Sequence, residues 1–149
     1  MATCLMLKRS SLSMSSLSIN SRLDRNVYIL TVTGQLTLGP HLRNLQQAAR
    51  TALESSTPEA VILDVAGVRY ADSAGLGELT IVYSLCTRKQ CPLVLAAVPV
   101  QLRQMLELTR LDALLPSAVD VDTAKHEAKA RLRKLRGLPD AQADAAAGE

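Results

Sequence analysis

The segment Ala60-Val61-Ile62-Leu63-Asp64-Val65 is apolar at every position but one. A strand with one face in water alternates apolar and polar residues, so this run predicts a strand covered on both faces, at the middle of a sheet. Such a strand needs layers packed on each side, and the flanking sequence supplies helices. From Pro40 to Glu54 the period changes, with Leu42, Leu45, Ala49 and Leu53 on one face. Pro40 suits a first helical turn, where its missing amide hydrogen is not needed. Ser55-Ser56-Thr57-Pro58 breaks that helix.

Upstream, Val27 to Thr33 is dense in β-branched residues and reads as a strand ending at Gly34. Asp24-Arg25-Asn26 reads as a hairpin connection from an edge strand that is under way by Ser16 to Ile19. Downstream of the central strand, Ala66 to Ala71 reads as a connection. A second helix follows, with Leu76, Leu79, Val82 or Tyr83, and Cys86 at helical spacing and Asp72 or Ser73 as its N-cap. Pro92 to Val98 predicts another buried strand, and Val100 to Leu108 a short helix with Leu102, Met105 and Leu106 inward. Leu111 to Leu115 is apolar and stops at Pro116. Ala118-Val119 suits a last short strand. A final helix from about Asp122 carries Ala124, Ala128, Leu132 and Leu135 on one side. The order predicts an α/β fold: one domain with a mixed central β-sheet of four to five strands and about four helices. The expected layout is a flexible segment at residues 1–14, the domain at 15–136 and a disordered tail at 137–149.

Composition removes several function classes. The chain has 149 residues, 48% of them apolar, enough for one buried core. No run approaches the roughly 20 apolar residues that a membrane-spanning helix needs. With three tyrosines and neither Phe nor Trp, base-stacking platforms for single-stranded nucleic acid have almost no material. Net charge is +3, with six of the 17 basic residues between Lys125 and Arg136. That cluster could touch phosphates, but a solvated helix face is the expected reading, and direct DNA binding is not expected. Cys4, Cys86 and Cys91 lack the spacing of a zinc site or a disulfide scaffold and read as small apolar residues in a reducing, cytoplasmic compartment. The Ser-rich start with Lys8 and Arg9 has some features of an organellar leader, but the strand-like alternation at Ser16 to Ile19 argues against cleavage.

The segment with chemical content is Tyr70-Ala71-Asp72-Ser73-Ala74-Gly75-Leu76-Gly77, between the most buried strand and a helix start. The carboxyl end of a strand is where such sheets place ligands. A hydroxyl there lies beside the amide donors of a first helical turn, where the dipole favours negative charge. A phosphate on Ser73 would add about −1.5 to −2 charges at a spot that tolerates them. Gly75 and Gly77 would let a partner's backbone approach. The same residues also fit a purely structural role, Ser73 as a cap and the glycines as turn formers.

Val61-Ile62-Leu63-Asp64-Val65 followed by Val68-Arg69-Tyr70-Ala71-Asp72-Ser73-Ala74-Gly75-Leu76-Gly77-Glu78-Leu79 resembles the STAS domain of bacterial anti-sigma factor antagonists. Its hallmark is a strand with an Asp near its end and then an Asp-Ser-x-Gly-Leu-Gly segment. The resemblance runs from about Leu17 to Leu135. It implies a phosphoswitch without enzymatic activity or cofactor: an anti-sigma factor that is also a serine/threonine kinase phosphorylates Ser73 and is bound only by the unmodified form, which regulates transcription. A serine phosphatase is a further candidate partner. Asp72 matches the acidic neighbour that caps the helix and orients the hydroxyl. Asp72, Ser73, Ala74, Gly75, Leu76 and Gly77 are the expected partner-binding residues, joined by Gln35 and Thr37 on the adjacent loop. Two departures stand out. Gly34-Gln35-Leu36-Thr37 lacks both carboxylates of the family's usual Gly-Glu-Leu-Asp, and Ala74 replaces a second hydroxyl. A STAS subunit that is never phosphorylated, within a lipid-transport or stress-signalling assembly, is therefore the alternative. A serine hydrolase is disfavoured because neither His41 nor His126 can be placed beside Ser73, which also lacks a Gly-x-Ser-x-Gly elbow.

Overall fold

The computed structural model describes residues 17–137. Five strands, β1 (Leu17–Asp24), β2 (Val27–Leu36), β3 (Ala60–Ala71), β4 (Leu93–Ala96) and β5 (Ser117–Ala118), form one sheet in the order β1-β2-β3-β4-β5. The first pair is antiparallel and the other three are parallel, so the sheet is mixed. The described residues also hold four helices: α1 (Arg43–Ser56), α2 (Ser73–Arg88), α3 (Val100–Leu108) and α4 (Val121–Leu135). A 3-10 turn, Leu111–Ala113, precedes β5.

The β1–β2 hairpin closes on Arg25 and Asn26, both left-handed (φ 52° and 72°), between the paired Asp24 and Val27. Positive φ at both positions matches the right-handed twist of the strands on either side. The central run behaves as its pattern predicts. Val61, Leu63 and Val65 enter the larger core, with Leu45, Ala49, Leu76, Leu79, Leu102 and Leu106 from α1, α2 and α3. Ala60 and Ile62 face the opposite side, where Ala124 and Ala128 of α4 pack against them with Val94 and Ala96. Alanines on that helix let its backbone lie close to the sheet.

Two strands outrun their expected ends. β2 continues through Gly34 to Leu36, because Gly34 at φ 108° sits beside a register irregularity rather than a turn. β3 likewise continues from Val65 to Ala71, so the expected connection at Ala66 to Ala71 is strand. Gly67 permits this close pairing, since a Cβ there would lie 2.3 Å from Thr33 Cγ2. The first helix begins at Arg43 rather than Pro40; residues 39–42 form a turn in which the Leu42 N–H donates to the Gly39 carbonyl (3.3 Å). Thr57 ends that helix in the left-handed region (φ 40°).

Val82, not Tyr83, is the buried member of its pair, Met105 is half-buried, and Leu135 is 57% exposed rather than inward. Cys86 and Cys91 are buried free thiols, and burial pushes the Cys91 thiol up to about 12 and Cys86 higher still. Among the described residues no helix is long and apolar enough to cross a membrane. The segments at residues 1–14 and 138–149 lie outside the described residues, as does Cys4.

Candidate functional site

The extended ends of β2 and β3 run side by side, pairing Gln35 with Tyr70 and Leu36 with Ala71. They deliver Asp72 to the start of α2, where its N–H donates to the Leu36 carbonyl (3.2 Å). Asp72, not Ser73, is the N-cap. Its Oδ1 accepts from the Gly75 N–H (2.9 Å), and its carbonyl accepts the first helical bond, from Leu76 N–H (3.0 Å). The second oxygen reaches outside the helix: Oδ2 accepts from the Leu38 N–H (3.1 Å), tying the β2–α1 loop to the helix start. One carboxylate thus clamps two segments that are 34 residues apart.

Ser73 is the first residue of α2 and is exposed. The amides of Ser73 and Ala74 precede the first intrahelical bond, so the polarised helix start and the hydroxyl share one solvent-facing position. The two glycines differ. Gly75 is buried against its own chain: a Cβ there would lie 1.8 Å from the Leu36 carbonyl oxygen. Gly77 is exposed with nothing within 4 Å of where a Cβ would stand. Ala74 is half-buried and Leu76 is buried in the core. Gln35 and Thr37 are half-buried on either side of Leu36, so the site has neither of the carboxylates these positions carry in the pattern it resembles.

Three residues at the site have no role assigned by the sequence pattern. Leu38 is 79% exposed although its amide is held by Asp72, and Tyr70 is 55% exposed beside Gln35, so two large side chains stand in solvent on the segments that lead to the helix start. The third is Glu78, 6% exposed, whose Oε2 has no hydrogen-bond partner among the described residues. Burial raises its carboxyl above the ordinary range, against the opposing pull of the Gln46 backbone N–H and the Arg43 charge. Helix α1 has no side-chain cap and no acid in its first turn, so Glu78 brings the negative charge to that helix start from α2. Its spacing could have revealed it, because Glu78 lies four residues before Val82 and three after Gly75 on the buried stripe.

His41 is exposed on the loop before α1, and His126 is exposed on α4, across the sheet from α2. Among the described residues no three metal-ligating side chains cluster.

The family profile described as "Mlab, STAS domain" matches residues 19–116. No curated protein matches the chain significantly in sequence. Several solved structures share the fold. An anti-sigma factor antagonist from Mycobacterium paratuberculosis is 22% identical, with 76% of this chain and 95% of that one covered at a TM-score of 0.64. A sulfate transporter family protein from Wolinella succinogenes is 20% identical, with 75% and 92% covered at 0.61. The anti-sigma factor antagonist SpoIIAA in its unphosphorylated form is 12% identical, with 81% and 100% covered at 0.56.

Proposed function

Because the chain belongs to the STAS-domain family, we propose that it is an anti-sigma factor antagonist whose affinity for its partner is set by the charge on Ser73. The observation that carries this reading is an exposed hydroxyl on the first residue of α2, beside an Asp72 carboxylate occupied by two backbone amides. Asp72 is fully engaged in holding the loop and the helix start. It therefore shapes the platform while Ser73 is left for a visitor. In the unmodified state a partner meets a neutral surface of Ser73, Ala74 and Gly77, flanked by Leu38, Tyr70, Gln35 and Thr37. Gly75 and Leu76 support that surface from beneath. The partner is an anti-sigma factor serine/threonine kinase, and the antagonist acts in the cytoplasm as a binding module rather than as an enzyme.

Phosphorylation converts the hydroxyl into a group of about −1.5 to −2 charges. The helix start accommodates it, so the fold persists while a complementary neutral interface is lost. A buried unpaired charge at an interface costs about 2–5 kcal/mol. The test is incubation with a cognate kinase and ATP, read by intact-mass spectrometry. One phosphate is expected on the wild type and none on Ser73→Ala, which keeps partner binding, while Ser73→Asp weakens it. A phosphate persisting on the alanine variant refutes the assignment.

A second reading rests on Gln35 and Thr37. With no carboxylate at either of those two positions, the kinase-facing part of the platform is altered, which favours a STAS subunit that binds without being phosphorylated, in a lipid-transport or stress-signalling assembly. Affinity capture followed by partner identification separates the two: an ATP-dependent anti-sigma kinase supports the switch, and transporter subunits support the alternative.

A further inference from the structure

The basic residues near the C-terminus line a cavity at the opposite end of α2 from Ser73. β5 is two residues long and pairs only with Leu95 and Ala96, so among the described residues no strand covers the outer edge of β4 at Leu93. Pro116, just before β5, has no amide hydrogen to offer that edge. The gap is a cavity of about 290 Å³, close to the lower end of ligand-sized pockets, about 300 Å³. Pro92, Leu93 and Pro116 form an apolar floor, Tyr83 of α2 forms one wall, and Arg131 and Lys134 of α4 stand at the rim.

Charge decides what such a cavity accepts. Among the described residues its lining contains two cations and no carboxylate. Arg131 uses its Nε on Glu127 (2.8 Å), which leaves its two terminal amino groups for another acceptor, and Lys134 is exposed with no ion pair among the described residues. An apolar floor beneath two cations matches a molecule with an apolar body and one anionic end. A bare anion would leave the floor unfilled, and a neutral apolar molecule would leave the cations unused.

We propose that this cavity binds a small organic anion, an acyl or aryl carboxylate or phosphate ester, with its apolar body on Pro92, Leu93 and Pro116 and its charge between Arg131 and Lys134. Thr87, also in the lining, lies 14 residues along α2 from Ser73, roughly 21 Å at 1.5 Å per residue. The ligand and the Ser73 partner therefore occupy separate surfaces.

The test is titration of the full chain with octanoate and octyl phosphate, followed by amide chemical shifts, with 1-octanol and inorganic phosphate as comparison arms. Both amphiphiles are expected to bind saturably at one site, shifting the amides of Tyr83, Thr87 and Leu93. The double variant Arg131→Gln/Lys134→Gln should weaken binding at least tenfold, and Thr87→Trp, on an exposed helix turn at the mouth, should abolish it. Ser73→Asp should bind octanoate as the wild type does, whichever way the signalling test falls. The proposal is overturned if neither amphiphile shifts those amides saturably, or if the double variant binds equally well. It is likewise overturned if 1-octanol or inorganic phosphate alone binds as tightly as octanoate.

Discussion

Gly75→Ala and Gly77→Ala set helix propensity against packing within one helix turn, and the two effects predict opposite signs. Both positions are helical, so the lost backbone freedom of glycine makes alanine more favourable at each by about 0.5–1 kcal/mol. At Gly77 nothing stands within 4 Å of the new methyl, so that gain should appear undiminished. At Gly75 the methyl would stand 1.8 Å from the Leu36 carbonyl oxygen and 2.7 Å from its carbon. Ordinary carbon contacts begin near 3.5 Å. The start of α2 and the end of β2 must therefore separate by well over 1 Å, and both are backbone, with no side chain to swing aside. Overpacking of this kind costs about 1–3 kcal/mol. The separation also loosens the Asp72–Leu36 and Asp72–Leu38 bonds, about 1 kcal/mol each. Packing wins over propensity, and the expected net loss is about 2–4 kcal/mol. Equilibrium urea denaturation of the wild type and both variants measures it. The midpoint should fall for Gly75→Ala and rise slightly for Gly77→Ala. A Gly75→Ala protein as stable as the wild type would refute the claim that this glycine exists for the helix–strand contact.

Asp72→Ala removes the cap of α2 and the anchor of the β2–α1 loop together. It should cost about 2 kcal/mol or more in the same denaturation assay and speed hydrogen exchange at Leu38 and Gly75, whereas an unchanged Leu38 rate would deny the clamp. Glu78 has a folded-state pKa above its ordinary 4.5, so the native protein holds more protons than the unfolded chain between those two values. Its contribution to stability therefore falls as pH rises through that window and stays low above it. Glu78→Gln should lose this slope and gain stability at neutral pH; a parallel pH–stability curve for the two proteins would contradict the assignment. Removing residues 137–149 should leave the melting temperature within about 1 °C, since a segment poor in large apolar residues has little apolar surface to bury; a larger drop in a thermal melt would show that it is docked.

Much of the fold was legible because its causes are local in sequence. The run from Ala60 to Val65 announced a two-sided strand, and Arg25-Asn26 announced a tight hairpin. The stripes through α1, α2 and α3 announced which faces are buried. Misreadings fell where a residue type has two uses. Gly34 punctuates some chains as a turn, but here it relaxes the backbone beside an irregular pairing within a continuing strand. Leu135 continues the period of α4, yet as the last residue of that helix it stands 57% exposed. Within the candidate site, Ser73 and Asp72 were identifiable from their neighbours. Glu78 was passed over because a charged residue on an apolar stripe reads as an outward-facing position until a facing helix start is in view.

From its own pattern the chain determined one α/β domain, the central strand, and a serine at a helix start, since periodicity, turn chemistry and capping act over a few neighbouring residues. Tertiary structure decided the rest: that Asp72 holds Leu38 across 34 positions, that Gly75 and Gly77 have different reasons to be glycine, and that Glu78 lies against α1. It also decided that a two-residue β5 leaves a cavity beneath Arg131 and Lys134. Each of these depends on how closely two distant backbones approach, a distance set by packing of the whole core and carried by no local stretch of residues.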